Sequence, residues 1–276
     1  MSKDITMLVC AHKQDYYRTG QGYLPIQVGK AVSPVDLHIT GDDTGDNISE
    51  KNPNFCELTA HYWYWKNGVR TPYVGLSHYR RYLEFNKSLR YGLTFISRTP
   101  EADKALDTSL PDNVDKLFEN YDIVLPKPRI YPYNLRTNYC YCHIAEDFDI
   151  LRRAVANVSP DYLDAFDRIM IGNNKLSHYN MFLTTDKVFD DYSEWLFAVL
   201  FEAERHCKIS PYQAQARIFG YMSERLLNVY CFKNRLRVKY VPIVKIEEKS
   251  MPEETTLGAM RRQLCFNILK LGHKTI

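Results

Sequence analysis

Short apolar runs alternate with stretches of helical spacing along the first half of the chain, which predicts an α/β protein. Ile5–Ala11 is an almost unbroken apolar run and predicts a strand, and residues 73–76 predict another. Between them, Leu58 and Tyr62 recur at helical spacing and predict a helix over residues 57–66. Strands that alternate with helices favour a mostly parallel central sheet, which the more helical C-terminal half would cover on one side.

The same pattern predicts the remaining elements and the domain organisation. Further strands are expected at residues 37–40, 122–125, 180–184 and 236–244, and further helices at residues 114–121, 145–158, 162–171, 187–206 and 210–229. Ser210 and Pro211 predict the start of the last helix, as its N-cap and first-turn proline. Residues 86–112 lack periodicity and predict a loop. We expect one domain over residues 1–250, followed by an amphipathic helical tail over residues 251–276.

A cluster of polar side chains follows the strand at residues 73–76. It consists of Ser77, His78, Tyr79, Arg80 and Arg81. Ligands of open α/β sheets bind at the carboxyl ends of the strands, and arginine forks match phosphate oxygens. If the strand continues, alternation would send the two arginines to opposite sides, so one of them is expected in the site. A solvated surface is the alternative, but the clustering of donors favours an anion site.

Composition and charge narrow the classes of partner. The net charge of +3 is too small for a general nucleic-acid binder, although an RNA-binding surface of arginine and tyrosine is an alternative. Seven cysteines without zinc-finger spacing indicate reduced thiols and a cytoplasmic location. The sequence shows no signal peptide and no run of eighteen apolar residues, so no transmembrane helix is expected.

Several catalytic motifs are absent from the sequence. There is no phosphate loop, no Gly-x-Gly-x-x-Gly fingerprint, no His-Glu-x-x-His and no Gly-x-Ser-x-Gly elbow. Asp147 and Asp149 have the Asp-x-Asp spacing that holds a metal in many glycosyltransferases, but they fall at the start of a predicted helix. Favourable interaction with the helix dipole explains acidic residues at that position. No metal site is therefore expected there.

Five segments of the chain together resemble a known family. They are GDDTGDNIS, CELTAHYWYWKN, GLSHYRRY, HYNMF and GYMSERLLNVY, in this order. The combination resembles the bacterial galactofuranosyltransferase family recognised by its SHYRRY signature, whose members occur in capsule, exopolysaccharide and O-antigen gene clusters. The resemblance runs from the first strand to about Tyr230. It implies a GT-A-like nucleotide-sugar-binding fold and inverting transfer of galactofuranose from UDP-galactofuranose to a lipid-linked glycan.

The resemblance also implies how the donor is held. The Ser-His-Tyr segment stands where other GT-A enzymes carry Asp-x-Asp, so fixed cations would replace a metal in neutralising the departing UDP. No divalent metal and no other cofactor is expected. The residues implied in the donor site are Ser77, His78, Tyr79, Arg80 and Arg81, with His12, Lys13, Asp46 and Asn47 as its nearer walls.

An inverting transfer needs a base that takes the proton of the attacking hydroxyl. We expect Asp147 in this role, with Glu224 as the second choice. His143 would share a helical face with Asp147 if the helix begins early. An ion pair with a neighbouring arginine is the alternative for Glu224. Asn180 and Met181 are expected near the acceptor.

The C-terminal tail has an apolar stripe with basic neighbours. Met260, Leu264, Ile268 and Leu271 share one helical face, and Arg261, Arg262, Lys270 and Lys274 lie nearby. The tail would suit an anionic membrane surface at the cytoplasmic face of the inner membrane, packing on the domain, or pairing with another subunit. For the whole protein, the alternatives are a transferase of another nucleotide sugar and a non-catalytic glycan- or nucleotide-binding module.

Overall fold

The protein is described by a computed structural model that covers residues 4–20, 22–85, 95–105, 110–111, 113–248 and 256–272. Its strands are β1 Ile5–Ala11, β2 Tyr23–Gln27, β3 Thr40–Gly41, β4 Tyr73–His78, β5 Arg81–Leu83, β6 Phe95–Arg98, β7 Ile123–Pro126, β8 Arg129–Ile130, β9 Lys175–Leu176, β10 Phe182–Thr185, β11 Val238–Val241 and β12 Ile243–Ile246. Its helices are α1 Asn52–Phe55, α2 Leu58–Asn67, α3 Pro100–Lys104, α4 Val114–Asn120, α5 Leu135–Cys142, α6 Ala145–Val158, α7 Leu163–Gly172, α8 Asp186–Glu204, α9 Gln213–Ala216, α10 Ile218–Lys233 and α11 Thr256–Gly272.

The central sheet is mostly parallel. Its main path has the order β11-β7-β10-β4-β1-β2-β3, in which β10 alone runs antiparallel to its neighbours. The short strands β5, β6 and β12 extend it from the end of β4. The carboxyl ends of β1, β2, β4, β7 and β11 therefore lie along one edge. The prediction of an α/β fold with a mostly parallel sheet is confirmed.

The two faces of the sheet have separate cores because side chains alternate along each strand. In β1, Leu8 and Cys10 pack into a large cluster with the helices α2, α6, α7, α8 and α10. Met7 and Val9 point the other way, into a smaller cluster beside β5 and β12. Both faces of β1 are buried, which explains why its sequence is a continuous apolar run.

Several element boundaries differ from the predictions, and proline explains two of them. Pro25 lies within β2, a strand that the sequence pattern missed, because proline normally argues against a strand assignment. Pro242 divides the predicted strand at residues 236–244 into β11 and β12, since proline has no amide to donate to the ladder. The helix predicted from residue 210, α10, begins at Ile218 and not at Ser210, whose hydroxyl accepts a hydrogen bond from the Tyr212 amide.

The region predicted as a loop, residues 86–112, lies partly outside the described residues. Its described part contains β6 and α3, so the prediction is wrong there. Asp103 of α3 is completely buried and forms ion pairs with Arg18 at 2.7 Å and Arg98 at 3.2 Å. Arg98 also pairs with Glu84 at 2.6 Å. This buried charge cluster ties α3 to β6 and to the segment after β1.

Helix α11 packs near β8 through a few polar contacts. Arg262 Nε donates to the Ile130 carbonyl oxygen at 2.7 Å. The opposite side of the helix has four apolar side chains that are 59–63% exposed: Leu257, Met260, Leu264 and Ile268. The side chains of Lys270, Leu271 and Lys274 lie outside the described residues. In the part of the chain that the structure describes, no helix is both long and apolar enough to cross a membrane.

Candidate active site

Polar side chains from β1 and β4 meet at the carboxyl edge of the sheet. The two strands are parallel neighbours with Cys10 opposite His78, so His12 and Tyr79 both follow just beyond the paired strand ends. The rings of His12 and Tyr79 meet edge to face with their centres 5.3 Å apart. The segments that follow β1 and β4 therefore meet at one edge of the sheet.

Four cationic or basic groups surround His12. The pKa of the His12 imidazole is lowered by partial burial and then by Lys13, Arg217, His78 and Arg80. Arg217, at the junction of α9 and α10, was not expected here from the sequence. A neutral imidazole among several positive charges indicates a local field that favours an anion.

The two arginines that follow His78 have different neighbours. β4 ends at His78 and β5 begins at Arg81, so the turn between the strands separates the two side chains, and alternation along one continued strand does not apply. Arg80 pairs with Asp15 at 2.6 Å and keeps about a third of its side chain exposed (35%). Arg81 lies over the Tyr179 ring, 4.7 Å from its centre. Lys13 also approaches Asp15, at 3.8 Å. One carboxylate thus orients two cations beside His12 without burying them, and Arg81 belongs to a different surface.

His78 lies at the end of β4 and its tautomer follows from its partner. Its Nε2 is 2.7 Å from the Tyr179 carbonyl oxygen, which can only accept, so Nε2 carries the proton. Burial lowers the pKa of His78, Arg81 lowers it further, and Glu57 opposes the shift. His78 is therefore a neutral hydrogen-bonding group near pH 7. This corrects its interpretation as one of the fixed cations.

Besides Arg81, three of the predicted donor-site residues have their contacts outside this cluster. Ser77 is completely buried and its hydroxyl donates to the Met7 sulfur at 3.3 Å, because alternation along β4 points it into the smaller core. Asp46 accepts from the Tyr62 hydroxyl at 3.0 Å, and the Asn47 side chain bonds only within its own turn. The loop that holds Asp46 and Asn47 folds over α2, where Asn67 exchanges hydrogen bonds with the backbone of Asp46. Their place in the donor site stays a prediction.

The segment that enters β10 is an unusual turn. Tyr179 and Asn180 have positive φ angles of 74° and 53°, which non-glycine residues rarely adopt. The Asn180 side-chain amide donates to Glu57 Oε1 at 2.7 Å, and its oxygen accepts from Ser223 at 2.7 Å. Surrounding contacts must hold such a backbone in place. Asn180 is thus a structural residue and Met181 is fully buried, so neither is exposed to an acceptor.

Glu224 of α10 accepts three hydrogen bonds around this turn. They come from the Tyr179 amide at 2.8 Å, from Arg225 Nη1 at 2.9 Å and from His178 Nδ1 at 3.2 Å. Burial would raise the pKa of Glu224, but His178, Arg225 and the amide more than offset it and lower the pKa to about 2. A carboxylate this acidic is a poor proton acceptor near neutral pH. The ion pair with Arg225, the alternative for this residue, is present.

The other two base candidates are not together. Helix α5 ends at Cys142 and α6 begins at Ala145, so His143 and Asp147 do not share a helix and that prediction is wrong. His143 stacks on Tyr221 with ring centres 3.9 Å apart, and burial together with Arg225 lowers its pKa to about 4. Asp147 is buried in the first turn of α6, where burial and Glu146 raise its pKa to about 6.

Two groups near the turn were not recognised as site residues from the sequence. Glu57, just before α2, is 8% exposed, and only one of its carboxylate oxygens has a described hydrogen-bond partner. Of the charged groups around His78, Glu57 has the largest effect on the pKa of its imidazole. His178 lies between Glu224 and the Tyr131 hydroxyl, which is 2.6 Å from its Nε2. An acidic residue at the start of an aromatic helix was the available signal for Glu57.

The predicted helical position of the Asp-x-Asp spacing is correct. Asp147 is buried and Asp149 is exposed on α6, so their carboxylates do not share a surface. Among the described residues, no group of three or more His, Cys, Asp and Glu side chains is placed to hold a metal ion.

Comparison with protein-family models identifies the family of this chain. Residues 6–235 match the model of DUF4422, a domain of unknown function. The chain belongs to the DUF4422 family. Among solved structures, it is similar to one described as the apo structure of the WbbM bifunctional glycosyltransferase, with 31% sequence identity and a TM-score of 0.79. That match covers 90% of this chain and 46% of the WbbM chain, so this DUF4422 chain spans less than half of WbbM. No curated protein matches the chain.

Proposed function

We propose that this DUF4422 protein is a glycosyltransferase that moves galactofuranose from UDP-galactofuranose to a lipid-linked glycan, with inversion and without a metal, in the synthesis of a bacterial surface polysaccharide. The likeness to a chain described as a bifunctional glycosyltransferase supports glycosyl transfer. The SHYRRY resemblance supports the galactofuranose donor and the lipid-linked acceptor. The partners are therefore a UDP-sugar and a membrane-bound glycan.

The observation that carries the proposal is the cation cluster at the ends of β1 and β4. Lys13, Arg80 and Arg217 all act on the imidazole of His12 at the sheet edge where nucleotides bind in α/β folds. When the glycosidic bond to UDP breaks, negative charge grows on the diphosphate. Fixed cations that are already in place stabilise that charge without reorganisation. This is the task that a metal performs in other transferases.

We assign the base of the proposed reaction to Glu57. Among the neighbouring carboxylates, Glu57 has the largest electrostatic effect on the pKa of His78. One of its carboxylate oxygens accepts from Asn180, and the other has no described hydrogen-bond partner. The charge of Asp147 raises the pKa values of Tyr139 and Cys207. Glu224 is held as an anion by three hydrogen-bond donors. Glu57→Gln keeps the acceptor for Asn180 and removes the basic oxygen. We expect it to lower turnover at least about a hundredfold with little change in UDP affinity.

The donor assignment is tested by incubating the protein with a panel of UDP-sugars that includes UDP-galactofuranose, and measuring released UDP with and without glycan acceptors. Arg80→Gln should weaken UDP binding in calorimetry about tenfold or more, because it removes a charge-assisted contact. Arg237→Gln is the matched control, since Arg237 is an exposed arginine paired with Asp122 at 2.8 Å. Equal UDP affinities for both variants and the wild type would exclude the cluster as the donor site.

The membrane contact is proposed through α11. Its exposed apolar stripe is flanked by the exposed Arg261, a combination that suits an anionic lipid surface at the cytoplasmic face of the inner membrane. Co-sedimentation with phosphatidylglycerol vesicles should fall when Leu264 and Ile268 are both changed to Glu. Unchanged sedimentation would argue against this surface, and a change in oligomeric state would identify α11 as a subunit contact.

A further inference from the structure

A second basic surface lies next to the candidate donor site, at the carboxyl ends of β7 and β11. It is a cleft beyond Pro126, where β7 ends, and we call it the basic cleft. Its lining includes side chains from four segments of the chain: Phe95, Lys127, Arg129, His178, Tyr179 and Lys245. Arg81 adjoins it through its contact with the Tyr179 ring.

The basic cleft has an excess of positive charge. Arg81, Lys127 and Arg129 have no carboxylate within ion-pairing distance among the described residues, unlike Arg80, which pairs with Asp15. The pKa of Lys245 is lowered by burial and then by Arg81 and Arg129, while Glu247 opposes the shift. Arginine and lysine side chains left unneutralised around a cleft are the donors that phosphate groups require.

The basic cleft and the donor cluster are separated by one peptide segment. The Tyr179 carbonyl accepts from His78 on the donor side, while the Tyr179 ring lines the basic cleft. The cleft is therefore close to the proposed reaction centre but has cations different from Lys13, Arg80 and Arg217. An anion in the basic cleft would be a second anion beside the UDP diphosphate.

Helix α11 contacts the rim of the basic cleft. Arg262 of α11 donates to the carbonyl oxygen of Ile130, which follows Arg129 directly. The exposed apolar stripe lies on the opposite side of α11 and faces away from the cleft. Within the cleft, Phe95 and Ile243 provide the apolar lining, against which the first part of a lipid tail attached to a bound phosphate would pack.

We infer that the basic cleft binds the phosphate or diphosphate group through which the acceptor glycan is attached to its lipid. The inference rests on the proposed glycosyl transfer, since it names the part of the acceptor that the enzyme holds. The cleft's cations neutralise the acceptor phosphate, and the neighbouring turn at Tyr179 sets the distance between this phosphate and the donor. Glycans on a phosphate-linked lipid are then favoured over the same glycans on neutral carriers.

Binding is tested with two probes, inorganic pyrophosphate and farnesyl diphosphate, each titrated by calorimetry into the full chain in saturating UDP. The test variant is the double change Arg129→Gln and Lys245→Gln, and Arg237→Gln is the control. We expect the wild type and the control to bind both probes, and the double variant to bind them at least about tenfold more weakly. Farnesyl diphosphate should bind more tightly than pyrophosphate, because its tail adds apolar burial.

Three outcomes would overturn the inference. If the double variant bound both probes as tightly as the wild type, the basic cleft would not be the phosphate site. If pyrophosphate bound without UDP but not in saturating UDP, the two ligands would compete and the cleft would be part of the donor site. Binding to phosphatidylglycerol vesicles that falls in the double variant, with no binding of either probe, would assign the cleft to lipid headgroups.

A second measurement separates this inference from the proposed function. UDP-sugar hydrolysis without acceptor tests the donor chemistry alone, and the double variant should retain the wild-type rate. Transfer to a glycan on a lipid diphosphate should fall at least tenfold in the double variant, while transfer to the same glycan on a neutral alkyl carrier should not change. If the wild type releases no UDP from any donor, the proposed function fails. If the wild type transfers equally well to the glycan on a lipid diphosphate and to the glycan on a neutral carrier, only the cleft assignment fails.

Discussion

The buried carboxylate of Glu224 allows a quantitative test of how the turn at Tyr179 is held. The variant Glu224→Gln keeps the shape of the side chain but removes the charge that faces Arg225, which is only 2% exposed. The difference between the ordinary pKa of 4.5 and the value of about 2 corresponds to about 3 kcal/mol of stability at neutral pH. We expect the variant to lose about this amount.

The pH dependence of this loss has a definite sign. Because the pKa of Glu224 is lower in the folded protein, its stabilising contribution is complete above about pH 4.5 and disappears as the pH falls towards about 2. The difference in free energy of unfolding between wild type and Glu224→Gln should therefore shrink from about 3 kcal/mol at pH 7 to about half of that at pH 3.

Urea unfolding followed by circular dichroism at pH 7, pH 5 and pH 3 measures these differences. Glu194→Gln is the control, since Glu194 is exposed on α8 and makes no described side-chain hydrogen bond, so its change should stay within about 0.5 kcal/mol. A loss for Glu224→Gln that is the same at all three pH values would show that packing, and not charge, holds the turn. A variant as stable as the wild type at pH 7 would refute the reasoning altogether.

Three further predictions use other features of the protein. Because the pKa of Asp147 is raised from 3.8 to about 6 in the folded protein, its charge destabilises the fold increasingly as the pH rises from about 4 to about 6. Asp147→Asn should therefore gain about 3 kcal/mol in urea unfolding at pH 8 and only about 0.5 kcal/mol at pH 4. Turnover should not change, and a large loss of turnover would restore Asp147 as the base. Asp103→Asn deprives the buried Arg18 and Arg98 of their shared carboxylate and should cost about 3–5 kcal/mol, and a loss below about 1 kcal/mol would contradict the buried cluster. UDP release from the active donor should persist in EDTA; abolition that manganese reverses would contradict metal independence.

The sequence predicted the elements whose signal is local. β1 and α6 were predicted with their observed boundaries, because a continuous apolar run and a helical apolar stripe are properties of the segment itself. β2 was missed because its proline argues against a strand, although burial against β1 makes it one. The start of α10 was misplaced for the converse reason: a good local capping signal at Ser210 was overridden by tertiary contacts.

The candidate site was predicted less completely, because its chemistry depends on which distant residues meet. His12 and Tyr79 meet because β1 and β4 are parallel neighbours, whose carboxyl ends lie at one edge of the sheet. The local signal for Glu57, an acidic residue just before an aromatic helix, does not reveal its contact with Asn180, which is 123 positions away. The raised pKa of Asp147 and the lowered pKa of Glu224 likewise come from burial and partners that only the fold supplies.

The turn that enters β10 has a consequence for how the two proposed substrates would be arranged. Its carbonyl oxygen contacts His78 of the candidate donor site, Tyr179 also lines the basic cleft, and its left-handed backbone leaves it little freedom to relax. A donor and an acceptor bound on its two sides would therefore be held at a fixed separation. That spacing would come from the fold itself and would need no moving lid.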